Sequence, residues 1–122
     1  MKIIAFDLDD VLCFREKIYE DLGRDKYAYC QPIDKNIKLM NECYEHGYYI
    51  KIYTARGMNQ FSSDVGKIKE ELLELTKNHL KSWGAKYHEL IFGKEHYDLL
   101  VDDKVVNILD IQNITDIENK IK

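Results

Sequence analysis

The chain has 122 residues, room for one domain around one core and not for two. Hydrophobic residues make up 45% and charged residues 33%, with six glycines and one proline, which excludes collagen-like and low-complexity chains. Eighteen basic against 22 acidic side chains leave a formal net charge of −4, which argues against nonspecific binding to nucleic acid.

No apolar run approaches the roughly 20 residues needed to cross a bilayer. The opening run Ile3-Ile4-Ala5-Phe6 ends at Asp7, too early for a signal peptide. The expectation is a cytoplasmic protein with no membrane partner. Cys13, Cys30 and Cys43 have no CxxC spacing, so buried thiols are expected first and a zinc site or a disulfide second.

In chain order, Ile3 to Leu8 is a nearly continuous apolar stretch, as in a strand covered on both faces. Residues 13–31 are irregular, charged and rich in tyrosine, and read as a long loop or a small flap. Pro32 is expected to open a helix, with Ile33, Ile37, Met40 and Tyr44 at helical spacing and Gly47 beyond its end. Tyr48–Tyr53 is a second strand, ending at Thr54. A loop over 55–60 precedes a longer helix from about Ser63 to Trp83, its buried stripe marked by Ile68, Leu72, Leu75, His79 and Leu80. Glu89–Phe92 is a short strand. Leu99-Leu100-Val101 reads as a compact buried strand ending at Asp102-Asp103. Val105–Leu109 is one more strand candidate, and Ile114, Ile117 and Ile121 mark a terminal helix. Strands and helices alternate, which implies an α/β fold with a mostly parallel central sheet and helices on its faces, all in one domain.

The acids matter by position. Asp7 and Asp9 sit at the exit of the first strand, Thr54 at the exit of the second, and Asp102 and Asp103 at the exit of a later one. In a parallel sheet these exits share the carboxyl edge, where open α/β sheets bind ligands. Strand side chains alternate in direction, so Asp7 and Asp9 can face the same way. Two carboxylates that close repel unless a cation or a shared proton intervenes, and a set of hard oxygen ligands suits Mg²⁺.

Phe6-Asp7-Leu8-Asp9-Asp10-Val11-Leu12 resembles the first motif of the haloacid dehalogenase (HAD) superfamily. Tyr53-Thr54-Ala55-Arg56 resembles its second motif, Lys94 its third-motif lysine, and Leu100-Val101-Asp102-Asp103 its acidic fourth motif. The four run in the family's order across residues 3 to 103. Asp10 stands where glycine is common, and Val11 where threonine is. The resemblance implies a Rossmann-like, HAD-like three-layer sandwich and a Mg²⁺-dependent phosphatase.

It also implies roles. Asp7 would be the nucleophile, forming an aspartyl-phosphate. Asp9 would be general acid and then general base. Mg²⁺ would be held by Asp7, Asp102 and the backbone carbonyl of Asp9. Lys94 would supply positive charge, and the Thr54 hydroxyl with the N–H groups of Leu8 and Ala55 would hold phosphate oxygens. Metal at Asp7 but not at the Asp9 side chain would leave Asp7 charged and let Asp9 hold a proton. Arg56, just past Thr54, could grip a second anionic group or simply fasten the loop.

Forty-four residues separate Asp9 from Thr54, and 39 separate Thr54 from Lys94. Each stretch also supplies a core helix, so neither leaves room for a cap domain. The site would then be open, covered by the 13–31 flap, or closed by another subunit of a homo-oligomer. The flap's Arg15, Lys17, Tyr19, Arg24, Lys26, Tyr27 and Tyr29 could select an anionic or sugar-like substrate, or be a solvated loop with its tyrosines packed at the base. With its Thr54-Ala55-Arg56-Gly57, Phe92-Gly93-Lys94, Tyr97-Asp98 and Val101-Asp102-Asp103-Lys104 segments, the chain resembles short capless members associated with capsule and surface-polysaccharide synthesis, which implies a phosphorylated sugar or small building block. The alternatives are a phosphatase of nucleic-acid ends or phosphoproteins, phosphotransfer to an acceptor other than water, and a noncatalytic HAD-fold binding protein.

Overall fold

A computed structural model describes residues 2–121. Three strands form a parallel sheet: β1 (Ile3–Asp7), β4 (Tyr49–Thr54) and β5 (Glu89–Phe92), in the order β1-β4-β5. Helix α1 (Asp34–Glu45) connects β1 to β4, and α2 (Val65–Ser82) connects β4 to β5. These are two successive βαβ crossovers, the connection that parallel neighbours require. Asp7 pairs with Tyr53, and Thr54 with Phe92, so the three strands end at nearly the same level.

The sheet forms where β-branched and aromatic residues concentrate. Ile50, Ile52 and Thr54 alternate along β4 and are fully buried, the period of two that puts one face against the core. On α2, Ile68, Leu72, Thr76 and Leu80 recur every four residues and are buried. Each apolar side chain in such a stripe contributes roughly 1.5–3 kcal/mol by leaving water. Leu75 and His79, expected in that stripe, are half-buried at its margin. Helix α2 begins at Val65, because the Asp64 carboxylate caps it by accepting from the Lys67 N–H at 3.1 Å.

Four expectations are corrected. Pro32 does not open α1. It lies in β3 (Gln31–Pro32), paired antiparallel with β2 (Cys13–Phe14), and α1 starts at Asp34. Between these two short strands, Lys17–Tyr29 is a 3-10 segment kinked at Gly23 rather than an irregular flap. Leu99–Val101 is not a buried strand: Leu99 is 79% and Val101 88% exposed. Val105–Leu109 is not a strand either, and a 3-10 turn, Ile108–Asp110, stands at its end. A three-residue apolar run has few ladder bonds of its own and becomes a strand only by pairing. Here, among the described residues, β1 pairs with β4 alone, and its outer edge is left open with Ile3 56% exposed.

The chain closes with α3 (Ile114–Lys120), which buries Ile114 and Ile117 and packs against α1. Its start is a capping box between Asn113 and Asp116. Among the described residues, no helix is long and apolar enough to cross a membrane.

Candidate active site at the carboxyl edge of the sheet

Asp7 is the last residue of β1. One carboxylate oxygen, Oδ1, accepts the Leu8 N–H at 2.9 Å and lies 3.5 Å from Lys94 Nζ. Lys94 is held there by the neighbouring strands: its N–H continues the ladder by donating to the Thr54 carbonyl at 3.1 Å. Gly93, at φ +99°, makes the turn out of β5, and a Cβ there would lie 3.2 Å from Val65. Asp7 and Lys94 share a cleft of about 320 Å³ with Asp10, Ala55, Glu95, His96 and Tyr97. The Lys94 ammonium also lies over the rings of Tyr53 and Tyr97, at 5.9 and 5.5 Å.

Burial raises the Asp7 carboxyl above its ordinary 3.8, and Lys94 and the Leu8 N–H only partly offset it. Asp10 takes φ +69°, the left-handed conformation glycine favours and aspartate tolerates. Its side chain is exposed at the rim of the cleft.

Asp9 lies in different surroundings. Its carboxylate is paired with Arg56 Nε at 3.1 Å and Arg15 Nη1 at 3.0 Å. Burial alone would raise this carboxyl, but the charge and hydrogen bonds of Arg56, with Arg15 behind it, hold it below the usual range. Without a metal ion, Asp9 favours the ionised form more than Asp7 does. The reason is two guanidiniums against one ammonium.

Arg56 resolves its two readings in favour of fastening. It is 1% exposed, and its Nη1 donates to Thr76 Oγ1 at 3.1 Å, inside the α2 stripe. Its own N–H donates to Thr54 Oγ1 at 3.0 Å, so Thr54, fully buried, holds the loop. Gly57 follows at φ +78°. A Cβ there would come within 2.9 Å of Leu72 and 3.0 Å of Ile68, so only glycine lets the loop lie against α2. The Tyr27 hydroxyl accepts the Gly57 N–H at 3.0 Å. The Tyr27 ring lies 5.0, 5.4 and 5.1 Å from the charged ends of Arg15, Lys26 and Arg56. The tyrosine at the base of the 13–31 segment thus packs the Asp9 cluster.

Cys13 and Cys30, both buried, complete that cluster. Arg56 Nη2 donates to the Cys30 sulfur at 3.2 Å and the Cys13 sulfur at 3.6 Å, and Arg15 Nη1 to Cys30 at 3.3 Å. A hydrogen bond from Cys13, with both arginines, brings the Cys30 thiol down to about 7 against the effect of burial. The same bond, burial and the Asp9 charge push the Cys13 thiol up.

The structure thus brings Asp7, Ala55 and Lys94 to one cleft, and gathers Asp9 and Thr54 around the buried Arg56. The Leu8 N–H, expected to hold phosphate, is given to Asp7. Asp102 is not brought to them. Its carboxylate stands in an exposed turn, accepting the N–H groups of Asp103 at 2.6 Å and Lys104 at 3.3 Å. Asp102 does not line the cleft on which Asp7 and Lys94 open. Among the described residues, the groups of three metal-capable side chains reduce to Asp9, Cys13 and Cys30. Arg15, Tyr27, Cys30 and Thr76 were not expected around Asp9. The interleaved basic and aromatic residues of 13–31 are the signal that contained the first two.

A crystal structure of a target from Vibrio cholerae is similar to this chain, with a TM-score of 0.82 and 27% identity over 98% of this chain and 96% of that one. No family model matches the chain, and no curated protein matches it.

Proposed function

We propose that the chain is a phosphatase of HAD type, hydrolysing the phosphate monoester of a small molecule with Asp7 as nucleophile. The observation that carries this is Asp7 at the exit of β1, 3.5 Å from Lys94, opening on a cleft at the carboxyl edge. A phosphate monoester is a dianion and repels an anionic nucleophile, so a cation at that position is what attack requires. Asp7 would displace the leaving alcohol and carry the phosphoryl group until water releases it. Lys94 would neutralise charge on the transferring group and keep Asp7 ionised. Asp9 would serve as general acid only if its carboxylate left the two arginines.

Magnesium belongs to the proposal through residues rather than through geometry. Asp7 and the Asp9 carbonyl stand at the strand exit, and Asp102 would join them if Leu99–Val101 paired with the open outer edge of β1. Those three apolar residues are exposed and that edge is unpaired among the described residues, and edge strands take up such segments readily. When bound, the ion would supply further charge neutralisation. The resemblance to capsule and polysaccharide phosphatases makes a phosphorylated sugar or small building block the substrate class, handled in the cytoplasm.

A noncatalytic binding protein is the second reading, favoured by the grip of Arg15 and Arg56 on Asp9. Phosphate release from a panel of sugar phosphates and aryl phosphate, with Mg²⁺ and with chelator, separates the two. Release that needs Mg²⁺ and Asp7 supports the phosphatase. Binding without release across the panel supports the second reading.

A further inference from the structure

The Asp9 cluster holds two thiols that phosphate chemistry does not use. We propose that Cys13 and Cys30 are a peroxide-sensitive pair that closes to a disulfide and ties together the two ends of the 17–29 segment.

Register puts them in place. Cys13 pairs with Pro32 and Phe14 with Gln31, and the extended backbone of Cys30, one residue before β3, sets its side chain diagonal to Cys13 on the same face. Their sulfurs and an Asp9 carboxylate oxygen all lie within 4.8 Å of one another. Cys43, the third thiol, is buried elsewhere on α1. Diagonal neighbours start about 7–8 Å apart at Cα, and a disulfide needs roughly 4.4–6.8 Å. Closing the bond therefore requires the ladder to draw in by about 1 Å of backbone movement. A bond closed under that strain is readily reduced, so the change is reversible.

The surroundings favour a thiol pair over a metal. Arg56 donates to both sulfurs and Arg15 to Cys30, and the same guanidiniums occupy Asp9. A divalent cation at those three side chains would face two fixed positive charges at contact distance. Guanidinium donors instead stabilise the anionic sulfur that attacks peroxide.

The chemistry balances with hydrogen peroxide as oxidant. Cys30, the more exposed residue at 8% against 0%, gives up its thiol proton, and its sulfur attacks one peroxide oxygen. The O–O bond breaks, leaving a sulfenic acid, and the departing hydroxide takes the proton to become water. The Cys13 sulfur then attacks the sulfenic sulfur. An S–S bond forms, the S–O bond breaks, and the second water leaves with the Cys13 proton. Two thiols lose two electrons, and one peroxide becomes two waters.

The test exposes the full chain to hydrogen peroxide, alkylates the remaining thiols and maps the peptides. The expected product is a Cys13–Cys30 linked peptide lacking two hydrogens, with Cys43 still alkylated and both thiols regained with dithiothreitol. The proposal fails if both thiols remain alkylatable while glutathione in the same tube is oxidised, if the disulfides join different chains, or if Cys43 is consumed as fast. In folded Cys13→Ser, dimedone should label Cys30 and spare Cys43. Equal labelling of the two would overturn the assignment.

Discussion

Asp7 and Asp9 are two residues apart on one strand exit, yet they live in opposite electrostatic worlds. Asp7 faces a cleft, with one lysine beside it and its carboxyl raised by burial. Asp9 faces the 13–31 segment, between two arginines that hold its carboxyl low. A DxD motif is thus not one chemical unit. The strand fixes where two carboxylates start, and the elements that pack over each decide what it can do.

The comparison can be broken at either end, and the Asp7 end gives the larger effect. Asp7→Asn should lower phosphate release by on the order of 10³-fold or more while circular dichroism stays unchanged. Near-parent release would remove Asp7 from the chemistry. Arg56→Met attacks the other end. It strips the fully buried partner of Asp9, and unfolding in urea should show a loss of about 3 kcal/mol, at the low end for a broken buried pair because Arg15 remains. An unchanged midpoint would mean that Arg15 alone holds Asp9.

Lys94→Met should cost about 10²-fold in release with little change in the urea midpoint, since the lysine lies at the mouth of the cleft and not in the core. A large stability loss with unchanged turnover would reverse its role.

The smallest effect is the most diagnostic of the difference. In metal-free protein, a carboxyl NMR titration should place Asp7 above 3.8 and Asp9 below it. The signs then separate. A lowered Asp9 contributes stability that is present above its unfolded value and lost as pH falls through the folded one. A raised Asp7 contributes stability that is present below its unfolded value and lost as pH rises through the folded one. Both groups titrating together would erase the contrast.

The sheet was legible because its strands are runs rich in β-branched and aromatic residues. Ile50, Ile52 and Thr54 could only be the buried face of β4, and the β1 and β4 exits carried Asp7 and Thr54 to a common edge. Lys94 was legible through the Phe92-Gly93 turn that precedes it. The surroundings of Asp9 were not. Arg15 and Cys30 reach it from opposite ends of a 3-10 segment with no strong periodicity, and Thr76 looks like any polar interruption of a helical stripe. Asp102 shows the converse failure. Its run of Leu99, Leu100 and Val101 carries the apolar signal of a strand, but composition records a wish to be buried and not the neighbour that satisfies it.

Covalent phosphorylation of the Asp7 carboxylate can be read directly. Enzyme turning over its best phosphate ester in Mg²⁺ is quenched with borohydride, which reduces an acyl phosphate to an alcohol, and the peptide containing residues 7 to 10 is sequenced by mass spectrometry. Homoserine is expected at position 7, with Asp9 intact. Homoserine at position 9, or an unmodified peptide from enzyme that was releasing phosphate when quenched, would contradict it.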